Sequence, residues 1–288
     1  MRRILRGVAA AAAAVVLAST AIAPAAADND MPNRGRYTAL GDSFAAGAGL
    51  TPLRRSGDAL RSSEAYPVLL AGGANRVTFL AESGATVDDV LAQVATMPES
   101  ARQVTVTVGG NDVGFVDVLM SCAGGLQTVS CQAALQRAFV ASRELPEELG
   151  LLLAAIRERA PQATVYVTGY PQLFQLSPTG ACTTLDLAGF PYDPAAVQTI
   201  DNAALGLNQI IEGTVTATAL ATLDRGLIYV DVTDEFAGRG ACSPDGYIAP
   251  PAFVPGTTVP LPSSLHSTAA GQGAYADAII AEGFVGRH

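Results

Sequence analysis

The sequence predicts an α/β fold, an open and mostly parallel sheet with helices on both faces. Three observations lead there. Short apolar, β-branched segments alternate with longer stretches of helical periodicity. Four of the five candidate strands are nearly continuous in apolar and β-branched residues, as strands covered on both faces are. Segments rich in Gly, Asp and Asn follow the first three strands, at the carboxyl ends where open α/β sheets bind ligands.

The strands are "RYTALG" (36–41), "RVTFLA" (76–81), "QVTVTVGG" (103–110), "TVYVTGY" (164–170) and "GLIYVDV" (226–232), each bounded by Gly, Asp or polar residues. Helical spacing falls between them. In 86–97, Val87, Val90, Leu91 and Val94 share one face, Thr86 is a candidate cap, and Asp88 and Asp89 suit the positive end of the dipole. A second helix is predicted over 145–160, with Pro146 in its first turn and Pro161 beyond its end. A long one is predicted over 193–220, with interruptions expected at Gly206 or Gly213, and a last one over 267–284.

The first 27 residues stand apart. A basic "MRRILRG", an apolar Ala-rich segment and the small-residue run "APAAA" read as a secretory signal peptide cut after Ala27, leaving 28–288 as one domain. No other segment is long and apolar enough for a membrane anchor. Loss of Arg2, Arg3 and Arg6 takes the formal charge from −9 to −12, which makes nucleic acid a poor partner. A secreted chain of this length buries a full core without metal or oligomerisation, and a monomer is expected. All 17 basic residues are Arg. Without Lys there is no Schiff base, no pyridoxal phosphate attachment and no Walker phosphate loop. The four cysteines, Cys122, Cys131, Cys182 and Cys242, hold no C-x-x-C pair for a metal, and none is expected. Outside the cytosol they suggest two disulfides, with three pairings open. Cys122–Cys131 closes a short loop by local folding and leaves Cys182–Cys242.

Gly-Asp-Ser at 41–43 is by itself a common turn signal. The rest of the chain adds to it. Acyl transfer needs a nucleophile, a base and oxyanion donors. Ser43 is the candidate nucleophile, although Ala45 breaks the G-x-S-x-G elbow of α/β-hydrolases. Gly84 in "ESGAT" has a backbone N–H that a ligand can approach closely. Asn111 in "GGNDVGF" carries an amide at the mouth of strand three. Together with the Ser43 N–H, these make three candidate donors for one oxyanion. His266 is the one internal histidine and hence the candidate base. Asp42 and Asp112 are read as loop-bonding residues rather than triad acids. Phe115, Val118, Leu119, Met120 and Phe139 in 113–140 read either as the lining of an acyl groove or as ordinary core.

"GDSF", "SGAT", "GGND" and the late His, in that order, resemble the sequence blocks of the SGNH (GDSL-type) hydrolases over residues 36–285. "GYPQLF" (169–174) and "FAGRGAC" (236–242) are similar to segments of secreted actinobacterial lipases and esterases. The resemblance implies a three-layer α/β/α sandwich with a five-stranded, flavodoxin-like sheet and no cofactor. It implies Ser43 as nucleophile, His266 as base, and Ser43, Gly84 and Asn111 as oxyanion hole. The expected activity is secreted lipase or esterase chemistry on a small-molecule or lipid ester. A phospholipase, an acyltransferase, a carbohydrate deacetylase and a non-catalytic secreted binding protein are the alternatives. Two departures from the family stand out. Where members often carry Asp three residues before the His, this chain has Ser263, so its backbone carbonyl is expected to orient the imidazole. Where this branch often has a further Cys before "SGAT", this chain has Glu82.

Overall fold

A computed structural model of the chain describes residues 36–52, 60–187, 189–257 and 259–286. The signal peptide expected over 1–27 lies outside them. The five strands are β1 (Tyr37–Gly41), β2 (Thr78–Phe79), β3 (Gln103–Thr107), β4 (Thr164–Thr168) and β5 (Leu227–Val230). They form one parallel sheet in the order β2-β1-β3-β4-β5. The helices in chain order are α1 (Ser43–Ala46), α2 (Tyr66–Ala71), α3 (Val87–Thr96), α4 (Phe115–Cys122), α5 (Val129–Arg159), α6 (Thr183–Leu187), α7 (Pro194–Thr222) and α8 (Ala269–Ala281). Helices cover both faces, giving the three-layer α/β/α arrangement.

Strand residues alternate between two cores, because successive side chains of a strand point to opposite faces. On one face Leu40, Val104, Val106, Val165 and Val167 meet α3, α5 and α7 through residues such as Val90, Leu152, Ile156 and Ile211, all aliphatic and buried. On the other face Tyr37 and Tyr166 meet Tyr66 of α2, Tyr275 and Ile279 of α8, Phe174 and Phe236. This second core is laced with hydrogen bonds. Tyr37 Oη lies 2.9 Å from Thr105 Oγ1, Tyr66 Oη lies 2.9 Å from Thr107 Oγ1, and Thr107 Oγ1 lies 2.7 Å from Thr168 Oγ1. Tyr275 Oη donates to the Gly169 carbonyl at 3.2 Å. Disulfides join Cys122 to Cys131 and Cys182 to Cys242, and all four half-cystines pack on this aromatic side.

Two helices depart from expectation. The segment predicted to begin a helix at 145 is the second half of α5, and Pro146 lies inside it. Proline removes one intrahelical bond. The preceding turns persist because Thr128 caps them, its Oγ1 accepting from Cys131 N at 3.2 Å, and because Cys131, Ala134 and Leu145 are buried. Likewise α7 runs through Gly206 and Gly213 without a break. Both glycines face open space, while Ala204, Leu207 and Ile211 anchor the same turns in the core. Burial of one face outweighs about 1 kcal/mol of lost propensity per glycine.

Candidate active site

The carboxyl ends of β1 and β3 touch. A Cβ at Gly41, which holds φ +125°, would collide with the Thr107 carbonyl, so only glycine allows the crossing. The Gln93 side-chain amide brackets Gly41, its Oε1 accepting from the Gly41 N–H at 2.8 Å and its Nε2 donating to the Gly41 carbonyl at 3.0 Å. Asp42 N donates to Thr107 O at 2.9 Å, and Asp42 Oδ1 caps α1 by accepting from Phe44 N at 2.9 Å. Ser43 is therefore the first residue of a short helix clamped to the sheet from three directions. The amide of Gln272 on α8 adds a fourth clamp, donating to the Phe44 carbonyl at 3.0 Å and accepting from the Tyr66 N–H at 2.7 Å.

His266 Nε2 lies 2.8 Å from Ser43 Oγ, although 223 residues separate the two in the chain. The loop bearing His266 comes close because Gly49, at φ +86°, has no Cβ; one there would collide with Ser263. Ring position is set by Phe44, whose centroid is 5.2 Å away, and by a hydrogen bond at the far nitrogen. That bond corrects the expectation for Ser263. His266 Nδ1 lies 3.0 Å from the Ser264 carbonyl, while the Ser263 carbonyl accepts from the His266 backbone N–H at 3.1 Å. The Ser263 oxygen closes the turn instead. Buried Leu265, at φ +55°, reverses the chain just before the histidine, a left-handed conformation costing on the order of 1 kcal/mol for a residue with a side chain. A carbonyl at Nδ1 requires a proton there, which leaves Nε2 as the acceptor facing the serine hydroxyl. Burial pushes the His266 pKa down, against the opposing hydrogen bonds to Ser264 and Pro262, so the ring is neutral at neutral pH.

Gly84 lies between β2 and α3 with open space where a Cβ would be. Asn111 Nδ2 donates to the Ala85 carbonyl at 2.9 Å, which ties the amide to the Gly84 loop and leaves its second N–H unused by that bond. Ser43, Gly84, Asn111 and His266 all line one cavity of about 330 Å³. Its walls include Phe115, Leu119, Leu173, Phe190, Leu207 and Phe253. The segment 113–140 thus divides: Phe115, Leu119 and Met120 line the cavity, Val118 belongs to the core, and Phe139 is exposed.

Asp42 and Asp112 do bond loop backbone, Asp112 Oδ1 accepting from Val87 N at 2.8 Å. Burial raises both carboxyls, Asp42 to about 7. Gln93, Gln272, Ser264 and Tyr170 escaped sequence reasoning. Ser264 carried no signal, because any residue can present a carbonyl. Tyr170 sits in "GYP", and its hydroxyl donates to Asp42 Oδ2 at 2.6 Å.

The three-layer α/β/α fold and the relatives it matches define the class, an ester hydrolase. The chain belongs to the GDSL-like lipase/acylhydrolase family, which matches residues 39–274. A lipase of Streptomyces rimosus is 34% identical over 241 residues, 82% of each chain. Lipase 1 of Streptomyces coelicolor is 34% identical over 272 residues, covering 91% of this chain and 90% of its own. Among solved structures, the extracellular lipase of Streptomyces rimosus superposes with TM-score 0.69 at 32% identity, over 85% of this chain and 98% of that one. Phospholipase A1 of Streptomyces albidoflavus NA297 superposes with TM-score 0.69 at 33% identity, over 86% and 98%.

Proposed function

We propose that the protein is a secreted lipase or esterase working through a Ser43–His266 dyad. The observation that carries the reading is the 2.8 Å contact between Ser43 Oγ and His266 Nε2 at an apolar cavity. In the first half-reaction Ser43 Oγ attacks the ester carbonyl carbon as Nε2 takes its proton. The carbonyl oxygen becomes an oxyanion facing the N–H groups of Ser43, Gly84 and Asn111, and loss of one such donor typically raises the barrier by about 2.7 to 4 kcal/mol. The tetrahedral intermediate collapses, the imidazolium passes its proton to the leaving alkoxide, and an acyl-enzyme remains. Water, giving a proton to Nε2, then adds to the acyl carbon; the C–Oγ bond breaks, the imidazolium returns that proton to Ser43 Oγ, and the acid leaves. The Ser264 carbonyl holds the tautomer in place of a carboxylate, and being neutral it stabilises the imidazolium less.

The cavity walls fit the acyl part of the ester. Exposed Leu60, Val116, Met120 and Leu261 continue the apolar surface at the cavity lining. No Asp, Glu, Lys or Arg occurs between Asp245 and Asp277, the stretch holding His266 and much of the cavity wall. Both features favour a lipid-borne ester over a charged or carbohydrate one. Export rests on the basic, apolar and small-residue pattern of 1–27, and residues 28–288 would then act as a single catalytic domain.

A fluorophosphonate probe with a hydrolysis panel of p-nitrophenyl esters, phosphatidylcholine and acetylated xylan tests the reading. Wild type is expected to label and to prefer the longer acyl esters, and Ser43→Ala to do neither. Equal labelling of Ser43→Ala would remove the nucleophile, and preference for acetylated xylan would remove the lipid substrate.

A further inference from the structure

We propose that Tyr170 is a positioning residue of this reaction, its hydroxyl coupling the turn that carries Ser43 to the turn that carries Asn111. The inference rests on the dyad and oxyanion reading above. Gly110 N donates to Tyr170 Oη at 3.1 Å, and Tyr170 Oη donates to Asp42 Oδ2 at 2.6 Å. Gly110 precedes Asn111, and Asp42 precedes Ser43. One phenol oxygen therefore joins the two turns whose spacing decides whether an oxyanion meets its donors.

The tyrosine is itself fixed. Asn208 on α7 grips its main chain from both sides, Oδ1 accepting from Tyr170 N at 2.8 Å and Nδ2 donating to Tyr170 O at 2.8 Å. The ring lies against Gly110, where a Cβ would come within 3.3 Å of Tyr170 Cζ, and Phe44 packs edge-on at 5.3 Å between centroids. Clamp, ring and hydroxyl form a strut from α7 to the reacting end of the sheet. Small displacements there matter, because acyl transfer depends on sub-ångström placement of donors.

The strut is strongest while Asp42 is a carboxylate, since a hydrogen bond to an ionised acceptor is about twice as strong as a neutral one. Burial raises the Asp42 pKa to about 7, and the bonds from Tyr170, Phe44 and Ala45 pull it down. The other groups facing it are the phenols of Tyr66 and Tyr275 and the carboxyl of Asp112. Protonation of Asp42 as pH falls through about 7 weakens the strut, so activity falls there, ahead of the lower limb set by His266.

The test measures kcat, KM and thermal midpoint for wild type, Ser43→Ala, Tyr170→Phe and Asp42→Asn on one p-nitrophenyl ester, from about pH 5 to about 9. A Ser43→Ala protein that still turns over would sink the dyad reading, independently of Tyr170. With that control silent, Tyr170→Phe is expected to lose roughly ten- to hundredfold in kcat with KM nearly unchanged. Its acid limb should move upward, because the carboxyl loses the donor that held its pKa down. Asp42→Asn should lose the limb near 7 and keep only the lower one. A Tyr170→Phe enzyme with wild-type kcat overturns the proposal, and so does one that is slower but has an unmoved limb, since that outcome is packing alone. If Tyr170→Phe fails to fold, Asp42→Asn decides: loss of the upper limb supports the strut, and a wild-type profile overturns it.

Discussion

The two faces of the sheet are packed by different means. The face under α3, α5 and α7 is mostly leucine, isoleucine, valine and alanine, with the amides of Gln93 and Asn208 bonding the strand ends. The face under α2 and α8 is tyrosine, phenylalanine and threonine, with hydroxyls paired across the strands. Both disulfides lie on the second face, and Ser43 and His266 are held from it through Gln272 and Phe44. Aliphatic packing is tolerant of small shifts, whereas hydrogen-bonded cores admit one arrangement. The Ser43–His266 contact is thus steadied by directional bonds, through Gln272 from the aromatic side and through Gln93 and Asn208 from the other, while aliphatic packing supplies non-directional stability.

The sharpest way to break that comparison is through the cross-links. Replacing Cys182 and Cys242 by Ser opens a loop of 60 residues, and the chain-entropy relation puts the cost at about 4 kcal/mol. The Cys122–Cys131 loop, with a separation of 9, is expected to cost about 2.5 kcal/mol. Urea denaturation of the two double variants should rank them in that order; the reverse order would show that loop length does not govern this face. Next comes Leu152→Ala on the aliphatic side, expected to lose about 3 kcal/mol of stability with kcat per folded molecule unchanged. A kcat that fell with it would mean that aliphatic packing, and not only the hydrogen bonds, positions the pair. The smallest effect belongs to Tyr66→Phe, which leaves the Thr107 hydroxyl one partner short at about 1 kcal/mol. Here kcat is expected to fall by more than the stability loss accounts for at temperatures well below unfolding, as single-turnover rates would reveal.

Much of this was legible in the chain itself. β-branched runs marked the strands because a doubly covered sheet leaves no polar positions to blur them. Ser43, Gly84 and Asn111 stood out because each follows a strand and breaks its apolar pattern, and His266 because it has no internal rival. Boundaries were harder to read. Pro146 and the glycines of α7 look like breaks locally, and only the tertiary burial around them keeps the helices whole. The partner of His266 Nδ1 is a main-chain atom, so its identity depends on the turn at Leu265 rather than on any side chain. Tyr170 was hidden for a related reason. Its role needs Asp42, 128 residues away, and no local pattern records such a pairing.

The Gln272 clamp has a consequence in time. Serine and imidazole stand 223 positions apart, and the amide steadying the serine's helix lies further along still. A nascent or truncated chain ending before residue 266 has Ser43 without the imidazole that contacts it, and one lacking only that distal helix has the imidazole without the clamp on the serine's helix. The contact between serine and imidazole is thus completed and steadied only by the last part of the chain.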